Sequence, residues 1–218
     1  MSVPVTQATL LAALDDLPVF PLPRVVLFPR AVLPLHFFEP RYRTMLKDAL
    51  GTHSVIAVAM AGAPDANGNP ALPRVIGGGV IVEHQELADG RSNVVLHGVG
   101  RVAIEELPFV PPYRRAKGKI LHDVLTPVPT NDRTALLAEA SAFAAEVHKQ
   151  DPNFSFHLPP SLEPGAIADL CANQLVIDSA ARQRILEELD VRERVRLVIE
   201  ELAQQHVALH KSGGRVLH

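Results

Sequence analysis

One cysteine, Cys171, is all that 218 residues contain. No internal disulfide can form, and that usage points to a reducing compartment. Charge of either sign is also scarce in excess: the formal net charge of −3 gives no general pull toward nucleic acid or an anionic membrane. No apolar run approaches the ~20 residues that a spanning helix needs. The first sixteen residues lack a basic n-region, and their apolar stretch stops at Asp15-Asp16, which makes a poor signal peptide. A cytoplasmic location is therefore expected. Phosphate-binding machinery is missing too, because no G-x-x-x-x-G-K-[ST] string occurs. No serine lies in a Gly-flanked elbow, and the one Ser-Gly pair, Ser212-Gly213, falls in the tail. A serine nucleophile needs a positioned base and an oxyanion hole, so proteolysis by this chain alone is not expected. What is present is 47% hydrophobic and 21% charged residues, a globular composition in a chain long enough for one large or two modest cores.

The stretch that organises the chain is LPVFPLPRVVLFPRAVLPLHFFEPRY, Leu17 to Tyr42, with prolines at 18, 21, 23, 29, 34 and 40. Val, Leu and Phe favour extended backbone, while proline removes a ladder donor and confines itself to edges, bulges and strand starts. A broken, bent sheet follows. At Glu39-Pro40-Arg41-Tyr42 the period changes, since Tyr42, Met45, Leu46 and Ala49 recur at helical spacing and Pro40 suits a first helical turn. Residues 1–16 read as a leader with one helical turn around Thr9 to Leu14.

Beyond that helix, Ser54 to Ala61 has the length of a strand, and residues 62–74 are a Gly, Pro, Asn and Asp-rich loop. Three β-like runs centre on Val80-Ile81-Val82, Val94-Val95-Leu96 and Val102-Ala103-Ile104. Asp89-Gly90 makes a hairpin turn between the first two, and Gly98 with Gly100 makes a second bend. Gly77-Gly78-Gly79 predicts a bulge or flat patch that another segment can approach. Tyr113 to His122 is a last strand. Six or seven strands with short connections suggest a closed or nearly closed antiparallel barrel, since closure removes exposed edges.

Residues 125–131 read as a linker, and the rest is helical in period. Leu136, Leu137, Ala140, Phe143, Ala144 and Val147 form one stripe over Thr134 to Gln150, and Pro164 opens a helix bearing Ile167, Leu170, Cys171 and Leu175. Ser179 is the expected N-cap of a third helix. Asp190 with Glu193 has capping-box spacing for a fourth, which carries Val191, Val195, Val198, Ile199 and Leu202 and stops near Gly213-Gly214.

Several patterns mimic chemistry. Gly98-Val-Gly100-Arg-Val-Ala103 fits G-x-G-x-x-A, and Asp123 lies twenty residues on. A dinucleotide site needs a helix starting at the glycines, yet Val102, Ile104, Pro108, Pro111 and Pro112 follow, so a bend between strands is expected. His206 and His210 share a helical face without H-E-x-x-H or a third ligand, which favours a solvated polar face over zinc. Cys171 sits on an apolar stripe and reads as buried packing. Arg115, Lys117 and Lys119 would share one strand face as a small basic strip, but a single aromatic, Tyr113, is near, so RNA reading is disfavoured. No catalytic residue, metal site or cofactor is expected.

Leu17, Pro18, Phe20, Pro21, Leu22, Phe28, Pro29, Leu33, Pro34, Leu35, Phe38, Glu39, Pro40, Arg41 and Tyr42 together resemble the opening of the Lon N-terminal, substrate-binding domain family. Its C-terminal signatures are matched by Pro164, Gly165, Ala168 and Asp169, by Gln183, Leu186 and Glu187, and by Asp190, Val191, Glu193 and Arg194, with small departures at Ile167, Cys171 and Val195. The likeness spans about residues 17–210. It implies an α+β fold: a PUA-like, mostly antiparallel β-barrel over 17–124, then a C-terminal helical bundle over 132–212. Lon proteases join this module to ATPase and Ser-Lys peptidase domains, so a stand-alone, non-enzymatic module is expected here. It would bind unfolded or extended polypeptide segments, working with a separate protease or chaperone. The alternatives are an RNA-binding PUA-like protein and a small hydrolase with its site in the barrel–helix seam. Candidate peptide-binding residues are Phe38, Glu39, Arg41, Tyr42, Phe154 and Phe156. Glu39 and Arg41 read foremost as an internal ion pair or cap fixing the strand-to-helix junction, and Phe154 and Phe156 as packing in that seam.

Overall fold

Prolines decide where the first strand can pair. β1 (Leu17–Leu22) meets β6 (Arg114–Leu121) through Leu17, Pro18 and Val19, and runs parallel to β3 (Val55–Met60) from Val19 to Leu22. Pro18 therefore has a strand on one flank and Pro21 on the other, so each missing N–H can fall on an open side. The computed structural model describes residues 5–65, 68–159 and 161–211, without the side chains of His210 and Lys211. The other elements of the first half are α1 (Gln7–Leu11), β2 (Val32–Phe37), α2 (Pro40–Gly51), β4 (Val75–Glu86) and β5 (Ser92–Glu106).

The sheet runs β2-β5-β4-β3-β1-β6 and closes on itself through β5–β6 pairing. Closure depends on the 15 residues of β5. Its first part, Ser92 to His97, pairs with β2, and its last, Arg101 to Glu106, pairs with β6, while β4 follows its other flank. β5, β4, β3, β1 and β6 thus form the barrel, and β2 is left outside the closure. Every pairing is antiparallel except β1–β3, whose crossover carries β2 and α2. This is the mostly antiparallel barrel that the sequence implied. One expectation fails: Gly98 and Gly100 do not bend the chain between two strands but lie inside β5. The glycine bulge is present, as a register shift between Gly78 and Gly79, and Gly90 turns the β4–β5 hairpin at φ +77.

Alternation along the strands creates two cores. Leu17, Val19, Val55, Ala57, Ala59, Ile76, Val80, Val102, Ala116 and Ile120 line the barrel interior, joined by Leu10 and Ala13. Residues read as a leader thus supply α1, whose Thr6 hydroxyl caps the helix by accepting from Thr9 N, and whose Leu10 is fully buried. On the opposite face Phe20 stacks on Phe37 at 5.0 Å and tilts against Tyr42 of α2 at 4.5 Å. The main chain of Leu27 and Phe28 crosses this second face. A Cβ on Gly77 would stand 2.0 Å from the Leu27 carbonyl oxygen, and one on Gly98 2.0 Å from that of Phe28.

The strand-to-helix junction follows from the signature residues, with a correction. Pro40 occupies the first turn of α2, and Glu39 precedes it in extended conformation without a side-chain cap bond. Arg41 lies 4.5 Å over the Tyr42 ring and donates from Nε to Glu39 Oε2 at 2.9 Å. The pair is not internal: the Arg41 and Glu39 side chains are 54% and 38% exposed. A helix start at the surface has water for its orphan N–H groups, so nothing forces this pair inward.

His122–His218 forms a second compact unit. It contains α3 (Thr130–Gln150), α4 (Pro164–Gln174), α5 (Ser179–Glu187) and α6 (Val191–Lys211). Asp178, not Ser179, caps α5, accepting from Ala180 N and Ala181 N; its carboxylate supplies two acceptors where the hydroxyl would supply one. Asp190 caps α6 through Arg192 N and Glu193 N, but the return bond of a capping box comes from Glu188, which accepts from Asp190 N. The stop near Gly213-Gly214 lies outside the described residues. Segment 125–131, read as a linker, is tied into this unit where Thr126 donates to Asp190 at 2.5 Å. At its centre Arg194 is fully buried. Its guanidinium donates to Asp123 Oδ1 and Oδ2 at 2.8 and 2.6 Å and to the Glu188 carbonyl at 3.0 Å, and its Nε lies 3.3 Å from Asp169. Burial alone would favour losing the charge, but Asp123, Asp169 and Glu188 outweigh it and hold the pKa above the usual arginine value. Gly165 makes the room, since a Cβ there would meet Arg194 at 2.8 Å.

Gly98→Ala is expected to destabilise the protein by about 3 kcal/mol, because backbone oxygen cannot move aside. Gly100→Ala, whose Cβ would meet the side chains of Leu10 at 3.4 Å and Gln7 at 3.7 Å, both ordinary contacts, changes stability by less than about 1 kcal/mol. Urea unfolding of the two variants distinguishes them. Arg194→Ala strands two carboxylates and costs about 3–5 kcal/mol, whereas Arg41→Ala at the exposed pair costs less than about 1 kcal/mol. Equal melting shifts for these two would refute the assignment.

Candidate functional site

β2 owes its position outside the closed barrel to a turn. Pro29 and Arg30 occupy the two central positions between Phe28 and Ala31, with Ala31 N donating to Phe28 O at 3.1 Å and Arg30 at φ +67. A positive φ at the third position after proline at the second is the type II pattern that glycine usually fills, so Arg30 carries local strain. Arg30 N donates to Gly98 O and Gly98 N to Ala31 O. That pair of bonds is a bulge, and it sets the phase of the ladder that follows. Ala31 and Gly98 being hydrogen-bonded partners, Leu33, Leu35 and Phe37 aim their main-chain groups at β5, and Val32, Pro34 and His36 aim theirs away from it. Pro34 thus sits where its missing N–H interrupts nothing.

Side chains obey the same alternation. Phe37, Ser92, Val94 and Leu96 are buried on the face that carries the Phe20–Tyr42 cluster. On the other face Val32 is 61% exposed and, one step past the strand, Phe38 is 60% exposed. Pro34 and His36 lie between them, also exposed, and the His36 and Phe38 rings stack at 6.2 Å. Cross-strand neighbours Val95 and Asn93 continue this face onto β5, and Glu83 and Gln85 onto β4. Of these, Pro34, His36, Asn93, Val95, Glu83 and Gln85 wall an open cleft of about 400 Å³. One polar contact fixes its floor: His36 Nδ1 lies 2.8 Å from Asn93 Oδ1. The site offers apolar and aromatic contact, amides, and a strand edge that no other described strand pairs.

Of the residues expected to contact peptide, Phe38 lies at the end of this row, and Glu39 and Arg41 follow it at the surface. Tyr42 does not belong to it. It is 8% exposed inside the aromatic cluster, and burial raises its hydroxyl pKa. Phe154 and Phe156 belong to the second compact unit, each half-buried, with the Phe154 carbonyl bonded to His148. Val32, Pro34, His36, Asn93 and Val95 were not among the contact residues expected from sequence, although Pro34 belongs to the family signature. Their signal was there in part, as the two-residue period Val32-x-Pro34-x-His36-x-Phe38.

The other chemistry-like patterns resolve into scaffold. Asp123 belongs to the Arg194 ion pairs, and Gly98 and Gly100 start no helix. Cys171 is buried, and burial pushes its thiol up to about 12, which makes it a poor nucleophile. His206 packs edge-on to Phe143 at 6.3 Å, while the His210 side chain lies outside the described residues, as does Ser212-Gly213. Among the described residues no group of three His, Cys, Asp or Glu side chains is placed to hold a metal ion. On β6, Arg115 pairs with Asp16 at 3.0 Å and Lys117 stands opposite Glu105, so the basic strip is largely compensated. Tyr113, the nearby aromatic, is turned inward to donate to Asp48 at 2.8 Å. Burial, then that hydrogen bond, pushes its pKa up to about 12. No helix among the described residues is long and apolar enough to cross a membrane.

Comparison with known proteins agrees with this architecture. A family described as the ATP-dependent protease La (LON) substrate-binding domain matches residues 16–204. The chain is 30% identical over 200 residues to Lon protease 2 of Sorangium cellulosum, covering 88% of this chain and 25% of that protein. It is 30% identical over 204 residues to Lon protease of Roseiflexus castenholzii, with 89% and 25% covered. It therefore spans about a quarter of the length of these relatives. Among solved structures, a Lon N-terminal domain protein from Xanthomonas campestris superposes with a TM-score of 0.63 at 19% identity, covering 85% of this chain and 97% of that one. The N-terminal domain of Mycobacterium avium complex Lon protease gives 0.62 at 16%, covering 86% and 98%. Barrel closure, the buried arginine and the signature at the β2–α2 junction thus have one common explanation: the chain belongs to the Lon substrate-binding domain family.

Proposed function

We propose that this chain binds segments of polypeptide, without chemistry of its own, on the face of β2, β5 and β4 that carries Val32, Pro34, His36 and Phe38. The observation that supports this most is the exposure of Val32 and Phe38, 61% and 60%, along one row beside the cleft. Large apolar side chains left in water as a contiguous row mark a contact surface more often than a scatter of single residues does. A polypeptide suits it because alternate side chains of an extended chain match the two-residue spacing of the row, and the amides of Asn93 and Gln85 can meet main-chain groups. Glu39 and Arg41 form the rim at the Phe38 end. Membership in a substrate-binding family supports the same reading. The bound polypeptide would be a substrate destined for a protease, and the helical unit would serve as scaffold.

Fluorescence anisotropy with a labelled, permanently unfolded protein, reduced and carboxymethylated, tests the proposal. Saturable binding is expected at moderate salt. Val32→Ser combined with Phe38→Ser should weaken it about ten-fold, in line with the loss of two contact anchors. The melting temperature should stay nearly unchanged, since both side chains are exposed. Unaltered affinity in the double variant would remove the face from consideration, and turnover of the probe would overturn the binding role.

A further inference from the structure

The geometry points to a more specific mode on that same face, and rests on the reading of it as a polypeptide site: we infer that the free edge of β2 takes one extended segment as an added strand, in a register fixed by Pro34. Among the described residues β2 pairs with β5 alone, and the ladder phase turns the main-chain groups of Val32, Pro34 and His36 to the open side. That edge presents three carbonyl acceptors and two N–H donors, with proline in the middle position. Its complement is an extended main chain, which repeats N–H and C=O at two-residue intervals, roughly 6.7 Å apart.

Two demands then fall on the same positions of the segment. Added antiparallel, the segment places the residues that aim their N–H at β2 opposite Val32, Pro34 and His36, and cross-strand partners share a face. Their side chains therefore come down beside Val32, His36 and Phe38. Intermediate residues point their N–H outward and are free to lack it. Every second residue of the segment must keep its N–H and profits from an apolar side chain, while the alternating residues tolerate proline or N-methylation. Charge narrows the class further. Glu83 lines the cleft, and no lysine or arginine is among its described lining residues, so an apolar segment with a basic residue fits and an acidic one does not. Pro34 also explains why this edge need not recruit a second copy of itself: two proline rings would meet at the centre of a symmetric pairing.

The test uses the whole chain and a capped, fluorescein-labelled nine-residue peptide alternating valine and threonine with one terminal lysine. N-methylation of alternate amides in one phase is expected to weaken binding about ten-fold or more, as befits two or three lost hydrogen bonds, and in the other phase to leave it within about two-fold. Val32→Pro with His36→Pro removes both donors at positions whose N–H serves no ladder, exactly the phase Pro34 already occupies, and should abolish peptide binding. His36→Ala keeps the donor and should retain most of it. Equal tolerance of both N-methyl phases overturns strand addition. So does wild-type affinity in the double-proline variant. If that variant fails to fold, the N-methyl series on the unaltered chain decides. Capture of the unfolded protein without capture of the peptide overturns strand addition while leaving the face reading intact, and capture of neither overturns both.

Discussion

The barrel half of this protein depends on backbone meeting backbone. Carbonyl oxygens of Leu27 and Phe28 lie so near Gly77 and Gly98 that any Cβ would stand 2.0 Å away, far inside van der Waals contact. Because the segment can come that close, Leu27 and Phe28 are buried to 1% and 0% exposure on the sheet's second face. The same approach brings Arg30 and Ala31 to Gly98, where their hydrogen bonds form the bulge that starts β2. Glycine at 77 and 98 is thus upstream of the strand edge on which the proposed function rests. A strand without side chains costs stability through backbone entropy, and the two buried aromatic and aliphatic side chains offset it.

Closure has a second consequence. Five strands pair in a ring, but the ring consumes both flanks of β5 only where β6 reaches it, and β3 flanks β4 only over Gly77–Val80. β2 takes the remaining flank of β5 and becomes a place where an edge persists. Such an edge is an aggregation hazard unless it is blunted. Pro34 in the centre of β2 removes one donor without harming the ladder to β5, which lowers the edge's general stickiness and gives it a preferred register. Protection against indiscriminate pairing and the proposed selectivity for a segment would then rest on the same physical feature.

Much of the fold was legible because local chemistry and tertiary need agreed. Pro40 at a helix start, helical spacing of Tyr42, Met45, Leu46 and Ala49, and Gly90 in a turn say the same thing at both levels. Gly98 and Gly100 were misread as a bend, since glycine in a sequence does not distinguish a turn from a close approach; only the position of Phe28, seventy residues earlier in the chain, decides. The Glu39–Arg41 pair was placed inside for a similar reason. Sequence spacing puts the two side chains together but says nothing about depth, and the aromatic cluster beneath them is filled by Tyr42 instead. Arg194 went the other way. It reads as one more charge on a polar helix face until Asp123 and Asp169 are seen to converge on it, from positions 71 and 25 residues away along the chain.

These cases divide the signature residues and their strand neighbours into two kinds. Phe37, Tyr42, Gly165, Asp169 and Arg194 are spent on cores, a cavity for a guanidinium and the charges that balance it. They identify the fold and cannot touch a partner. Val32, Pro34, His36 and Phe38 hold to the same strand geometry but leave their side chains in water, and three of them leave main-chain groups there as well. Burial, then, separates what a signature says about architecture from what the surface can recognise. Within the barrel, the burial of Phe37 and Tyr42 can hold the β2 edge at constant geometry while its exposed residues vary, and on the proposed reading that would let one barrel take segments of differing sequence through contacts made chiefly to main chain.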